Sequence, residues 1–189
     1  MASTAVVAIG GLSLVAGTQG STAATRRTAT VRLSGGHETD SRDGGRPVVL
    51  VAATLGVPTS VFRTAFSGVT PAPAGSQPDP AQVLRNKAAL LKVLAPYGVT
   101  NEALDAASDH YRFDGAAGGT WPQTAATARA VVRAGKVVSV RIVEAGAGYS
   151  STPHVSVAGY PKARVRATLS YGKDLARNGS VRTLTLVKG

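Results

Sequence analysis

The sequence predicts an α+β protein in which a small helical N-terminal bundle is followed by an antiparallel, β-rich repeat module. Three observations carry that expectation. Apolar residues fall at helical spacing between proline and glycine stops over residues 47–113. Beyond Trp121 the period shortens to strand alternation, and a strand–turn–strand phrase that begins at Arg129 returns at Arg166.

Residues 1–24 are expected to be a signal peptide. The apolar run from Ala5 to Ala16 is followed by a small, polar stretch ending Thr22-Ala23-Ala24, a cleavage-site pattern, although no positive charge lies between Met1 and Ala5. The run is shorter than the roughly 20 apolar residues of a membrane span, so no transmembrane span is expected. Residues 25–46 are rich in Gly, Ser, Thr and charge and read as a flexible lead-in.

Pro47 to Leu55, closed by Gly56, suits a short buried helix, with a strand as the competing assignment for so Val-rich a run. Pro58 to Phe66 reads as a second helix, since Val61 and Ala65, and Phe62 and Phe66, recur at helical spacing. The proline-rich linker Pro71 to Pro80 sets Asp79 as N-cap and Pro80 as first residue of a third helix. There Val83, Leu84, Leu90, Leu91 and Leu94 make one stripe, and Pro96 stops it. A fourth helix is expected from Asn101 to about Tyr111, capped by Thr100 or Asn101, with Leu104 and Ala107 inward. Residues 114–125 form a Gly-rich linker, and 126–189 the β-repeat module.

Within that module Arg129 to Val132 leads through Ala134-Gly135-Lys136 into a strand from Val137 to Val143. Arg166 to Leu169 leads through a longer loop and Asn178-Gly179 into Val181 to Val187, so that aligning Gly135 with Gly179 pairs Val140 with Leu184 and Ile142 with Leu186. Repetition at this interval signals stacked units, each unable to bury its face alone. Between the copies stands Gly146-Ala147-Gly148-Tyr149, with Pro153 and Val155 beyond it. This stretch resembles the Gly-x-Gly-Tyr-x-x-x-Pro-x-Val repeats of bacteriophage tail-fibre and bacterial surface proteins. The resemblance covers residues 126–189 only, and implies an adhesive or structural role. Glycines permit the positive φ of a turn, the tyrosine covers it, and the proline launches the next strand at an edge. His154 departs from the small or β-branched residue expected at its position.

Charge is unevenly spread. Residues 1–125 carry 10 Lys/Arg against 8 Asp/Glu, whereas residues 126–189 carry 11 against 2. Such asymmetry bears on partners rather than on fold. Alternation sends Arg129 and Arg133 to one face and Arg164 and Arg166 opposite Val165 and Ala167, and with Arg141 these five are the candidate polyanion-binding residues. The expected partners are an anionic glycan or cell-wall polymer, or a protein partner including a second copy; nucleic acid is the lesser candidate, because aromatic residues are scarce. The alternative reading, a surface kept soluble by charge, carries no dedicated partner.

The absence of cysteine excludes disulfides, zinc–thiolate sites and thiol nucleophiles. A weak metal candidate is the cluster of His37, Asp40 and Asp43, which lacks any recognised loop spacing. His110 beside Asp109 is the one candidate general base, and no nucleophile elbow accompanies it. No cofactor fingerprint occurs. The favoured expectation is a secreted or cell-surface, noncatalytic binding or structural protein, with a small secreted hydrolase or metal-dependent enzyme as the alternative.

Overall fold

The computed structural model describes residues 26–70, 79–112 and 119–187. The expected signal peptide, most of the proline-rich linker and most of the glycine-rich hinge lie outside those residues. In chain order the described elements are β1 (Arg27–Ser34), α1 (Val48–Leu55), α2 (Thr59–Ser67), α3 (Pro80–Leu94), α4 (Asn101–His110), β2 (Thr127–Arg133), β3 (Lys136–Glu144), β4 (His154–Val157), β5 (Val165–Ser170) and β6 (Ser180–Leu186). Helices and antiparallel sheets together make the mixed α+β class.

The first departure from expectation is β1. Residues 25–46 are not simply a flexible lead-in, because Ala29, Val31 and Leu33 alternate with Thr28, Thr30 and Arg32 and so present one apolar edge to a core. β1 occupies an interior place in a four-stranded antiparallel sheet of order β3-β2-β1-β4. It pairs Thr30 with Arg129 of β2 and Leu33 with Val155 of β4. The helices are therefore inserted between two neighbouring strands of one sheet.

β5 and β6 make a separate two-stranded sheet. β6 lies beside β3 and β5 beside β4, so the sheets curl around one core. Val31, Ala128, Ala130, Tyr149, Val157 and Val181 are buried there. The alanines on β2 let the layers approach closely, which suits a sheet that bends into a half-barrel rather than lying flat.

The two hairpins share a register. Ala128, Ala130 and Val132 face Ile142, Val140 and Val137, while Val165, Ala167 and Leu169 face Leu186, Leu184 and Val181. Each ladder shifts at the corresponding point, between Val131 and Val132 and between Thr168 and Leu169, and β2–β3 has a further shift between Thr127 and Ala128. They differ in their turns. β2–β3 closes on Ala134 and Gly135, both at positive φ (47° and 72°), the two-residue geometry whose twist suits a hairpin. β5–β6 closes through residues 171–179, and that longer loop reaches the helices.

The helical half has its own core, including Leu50, Leu55, Phe62, Leu94, Leu104 and Trp121. α1 ends as the sequence predicts, with Gly56 at φ 71° donating to the carbonyls of Ala52 and Ala53. Asp79 accepts from the Ala81 N–H at the start of α3, and Thr100, not Asn101, caps α4 through the Ala103 N–H. The expected stripe on α3 is only half used. Leu94 is buried, but Val83 and Leu84 are 41% and 68% exposed, because the first turns of this helix overhang the bundle. No described helix is long and apolar enough to cross a membrane, and the apolar pair α1 and α2 is bent by 106°.

Asn178 joins the two cores. Its amide nitrogen lies 2.8 Å from the Leu50 carbonyl oxygen and 2.9 Å from both the Thr54 and Tyr111 hydroxyls. Its side-chain oxygen accepts from Gly172 N–H at 3.1 Å. One buried amide thus binds α1, the end of α4 and the β5–β6 loop.

Two stability changes are expected in urea unfolding. Asn178→Ala should cost about 2–3 kcal/mol, because several oxygens lose a buried donor together. Ala134→Gly should stabilise by roughly 0.5–1 kcal/mol, because a side chain is strained at positive φ there and glycine is not.

Candidate anion-binding face

The outward rows of β1, β2 and β3 collect the basic residues. On β2, Ala128, Ala130 and Val132 point into the core, which leaves Arg129 and Arg133 outward and exposed. Register then sets Arg129 opposite Arg141 of β3, and Arg133 opposite Lys136 across the tight turn. On its other side Arg129 faces Thr30 of β1. Arg32 joins the same face one row along, opposite Ser156 of β4.

Residues facing each other across an antiparallel pair have Cβ atoms about 5 Å apart, and like charges there repel. No ion pair among the described residues offsets that repulsion. Among the described residues, ion pairs involve Arg42, Arg63, Lys87, Arg112 and Arg177, and none reaches Arg32, Arg129, Arg133, Lys136 or Arg141. The one carboxylate on the β2–β3 ladder is Glu144, opposite Thr127. Such a surface can hold an anion between paired guanidinium forks without first breaking an internal ion pair.

Arg164 and Arg166 do not extend this face. Arg166 is exposed opposite Thr185 on the β5–β6 sheet, and β5 borders β4 rather than β2. Of the five expected arginines, Arg129, Arg133 and Arg141 stand on the four-stranded sheet, and Arg164 and Arg166 stand at β5 of the two-stranded one. Arg32 and Lys136 are the members that sequence reasoning missed. Arg32 was hidden with β1, whose alternating pattern was the available signal, while Lys136 was visible as a turn residue.

The glycine–tyrosine turn is a structural knot. Gly146 and Gly148 stand at φ 64° and 81°, and a Cβ on either would collide with the backbone of Thr124 or Pro122. Gly148 N–H donates to Asn178 O, and Tyr149 N–H to Gly179 O. Gly148 O accepts from the Trp121 indole N–H at 2.8 Å, and the buried Tyr149 hydroxyl accepts from Ala126 N–H at 2.9 Å. Pro153 is buried where the chain enters β4.

The proposed metal ligands do not converge. The His37 ring stacks on Tyr149 at 4.9 Å between centroids, with Nδ1 3.2 Å from Gly148 O. Asp40 instead accepts from Arg42 and Arg63, and buried Asp43 is gripped by Arg63 at 2.7 and 2.8 Å. Asp40 is held well below the usual carboxylate range, first by its side-chain hydrogen bond with Arg42. A metal would have to displace these guanidinium groups, and no cluster of three His, Asp or Glu residues suited to a metal occurs among the described residues. His110 also stands outside any dyad, since it packs edge-on against Tyr111 while Asp109 pairs with Arg112.

Comparison with family models, with curated proteins and with solved structures finds no match.

Two outcomes follow from these contacts. Gly148→Ala should destabilise by about 3 kcal/mol in chemical denaturation, since both its φ and its backbone neighbours oppose a side chain. Asp40 has a folded pKa below its unfolded value, so its contribution is complete above about pH 4 and is lost as pH falls further. The difference in melting temperature between the native protein and Asp40→Asn should therefore shrink as pH is lowered from 4.

Proposed function

We propose that this is an exported, noncatalytic binding protein whose outer β1–β2–β3 face attaches to an anionic polymer, a cell-wall polymer or acidic glycan. Export rests on the signal-like composition of residues 1–24. The observation that carries the binding role is Arg129 directly opposite Arg141 with no carboxylate among the described residues paired to either. Alone, the pair is mildly unfavourable; with sulfate, phosphate or carboxylate between the two forks it becomes a bidentate site. The surrounding Thr28, Thr30, Thr127 and Ser139 offer hydroxyls and no stacking platform, which favours a glycan or wall polymer over single-stranded nucleic acid.

The fold reading that accompanies this role is a helical unit followed by a repeat module, with β2–β3 and β5–β6 as two copies of one hairpin. Their equivalent registers and equivalent ladder shifts support it. The second copy differs by its longer loop, which gives the module its seat on the helices.

Titration of a sulfated glycan, a teichoic-acid fragment and duplex DNA over a range of salt tests the role. Binding to one of the first two should weaken steeply with salt, since each phosphate-like contact releases a counterion. Arg141→Glu should lower that affinity at least tenfold while stabilising the fold by about 0.5 kcal/mol, as an opposite-charge pair replaces a like-charge one. Binding that ignores salt, or that survives this substitution, would overturn the assignment, and preference for DNA would replace the polymer class.

A further inference from the structure

A second surface is built differently. β4 and β5 are the terminal strands of their sheets, and among the described residues no backbone hydrogen bond joins them. Between them runs a solvent-open groove of about 600 Å³. We infer that this groove docks an extended acidic polypeptide segment, taken up as an added strand on the free edge of β4.

The ladder phase shows which backbone groups are available. The Ala158 N–H donates to Thr30 O at 2.9 Å, which marks residues 30 and 158 as a hydrogen-bonded pair. Alternation then gives Arg32 with Ser156, and Ser34 with His154, the same status, so the N–H and C=O of Val155 point away from β1 into the groove. On the facing wall, Val187 N–H donates to Arg164 O at 2.9 Å, so the N–H and C=O of Val165 and Ala167 likewise point away from β6. The free edge of β4 therefore offers main-chain partners to an extended chain, with β5 as the bordering wall, the mode in which backbone bonds give affinity and alternate side chains give specificity.

Side chains specify the occupant. Val155, Val157, Val165 and Ala167 turn toward the shared core and form an apolar floor. His154 and Ser156 on one wall, and Arg164 and Arg166 on the other, line the rim, and no Asp or Glu among the described residues lines the groove. A docked strand would set one row of side chains on the valine floor and the other between these basic walls. Charge complementarity thus selects a segment that alternates apolar residues with carboxylates. A second copy of this chain offers the wrong sign, because β1, β2 and β6 set Arg32, Arg129 and Arg182 on their outward rows. Pro153 and Pro161 bracket the four-residue edge, so pairing stops after one short strand and does not propagate as edge-to-edge aggregation.

The test uses the whole chain, ¹⁵N-labelled, and a fluorescein-labelled peptide of alternating Val and Glu. Saturable anisotropy change is expected, with amide shifts concentrated at Val155, Val165 and Ala167. The same peptide N-methylated on the amides that would face β4 should bind at least tenfold more weakly, and a Val–Lys peptide should not bind. Arg164→Glu with Arg166→Glu should also lose at least tenfold. The N-methylated peptide keeps the inference testable if that double variant does not fold. Equal binding of the N-methylated peptide would reduce the effect to charge attraction and overturn the inference. So would absence of saturable binding by the Val–Glu peptide, or a sulfated oligosaccharide shifting the same amides in its place.

Discussion

A buried amide fixes the joint between the two halves of this molecule. The Asn178 side chain reaches from the second hairpin to Leu50 and Thr54 on α1 and to Tyr111 after α4. The helical core and the β core are otherwise separate clusters of apolar side chains. An apolar residue in its place would bring the same surfaces together without fixing their angle, since hydrophobic contact is non-directional. A hydrogen-bonded amide gives direction, and leaving its partners unsatisfied in a buried site makes other arrangements unfavourable. The neighbouring Gly179 strengthens the same joint, because a Cβ there would meet the backbone of Tyr149 and the Leu50 side chain.

From that joint the two surfaces follow. The glycine–tyrosine turn is bonded to Asn178 and Gly179 on one side and to Trp121 on the other, so it fixes where β4 begins relative to β5. The opposite face of the sheet is free of these constraints and carries the facing arginines. Rigid, internally satisfied polar contacts therefore concentrate at the junction, and basic side chains without an ion pair among the described residues concentrate on the outward face of β1, β2 and β3. The acidic segment around Asp40 and Asp43 is consumed in the first way: its carboxylates hold Arg42 and Arg63, and so secure the chain between β1 and α1.

The helices were legible from sequence because their signals are local. Proline at the start, glycine at Gly56, and a threonine cap at Thr100 lie within a few residues of what they define. The strand pairs beyond Trp121 were legible for the same reason, since a hairpin is read from its turn and its alternation. β1 was not read, although Ala29, Val31 and Leu33 alternate, because its composition of threonine and arginine resembles a solvated segment and its partners are distant in the chain. Asn178 was invisible as a keystone, since nothing in its neighbourhood of sequence refers to Leu50. His37 misled for a related reason: a histidine among carboxylates suggests ligands, but its ring is packed on Tyr149, which lies over a hundred residues away. Alternation likewise gave each arginine its face of a strand, but not that β2–β3 and β5–β6 belong to different sheets.

The insertion of β1 between β2 and β4 also orders events in time. Translation delivers this strand before either partner, and Thr30 waits for Arg129 and Leu33 waits for Val155 before the two sides of it are paired. The sheet is thus closed by contacts of long sequence separation, which pay their loop entropy late and form slowly. A chain emerging from the ribosome would carry β1 unpaired until residue 129 had been made, and its other edge unpaired until residue 155.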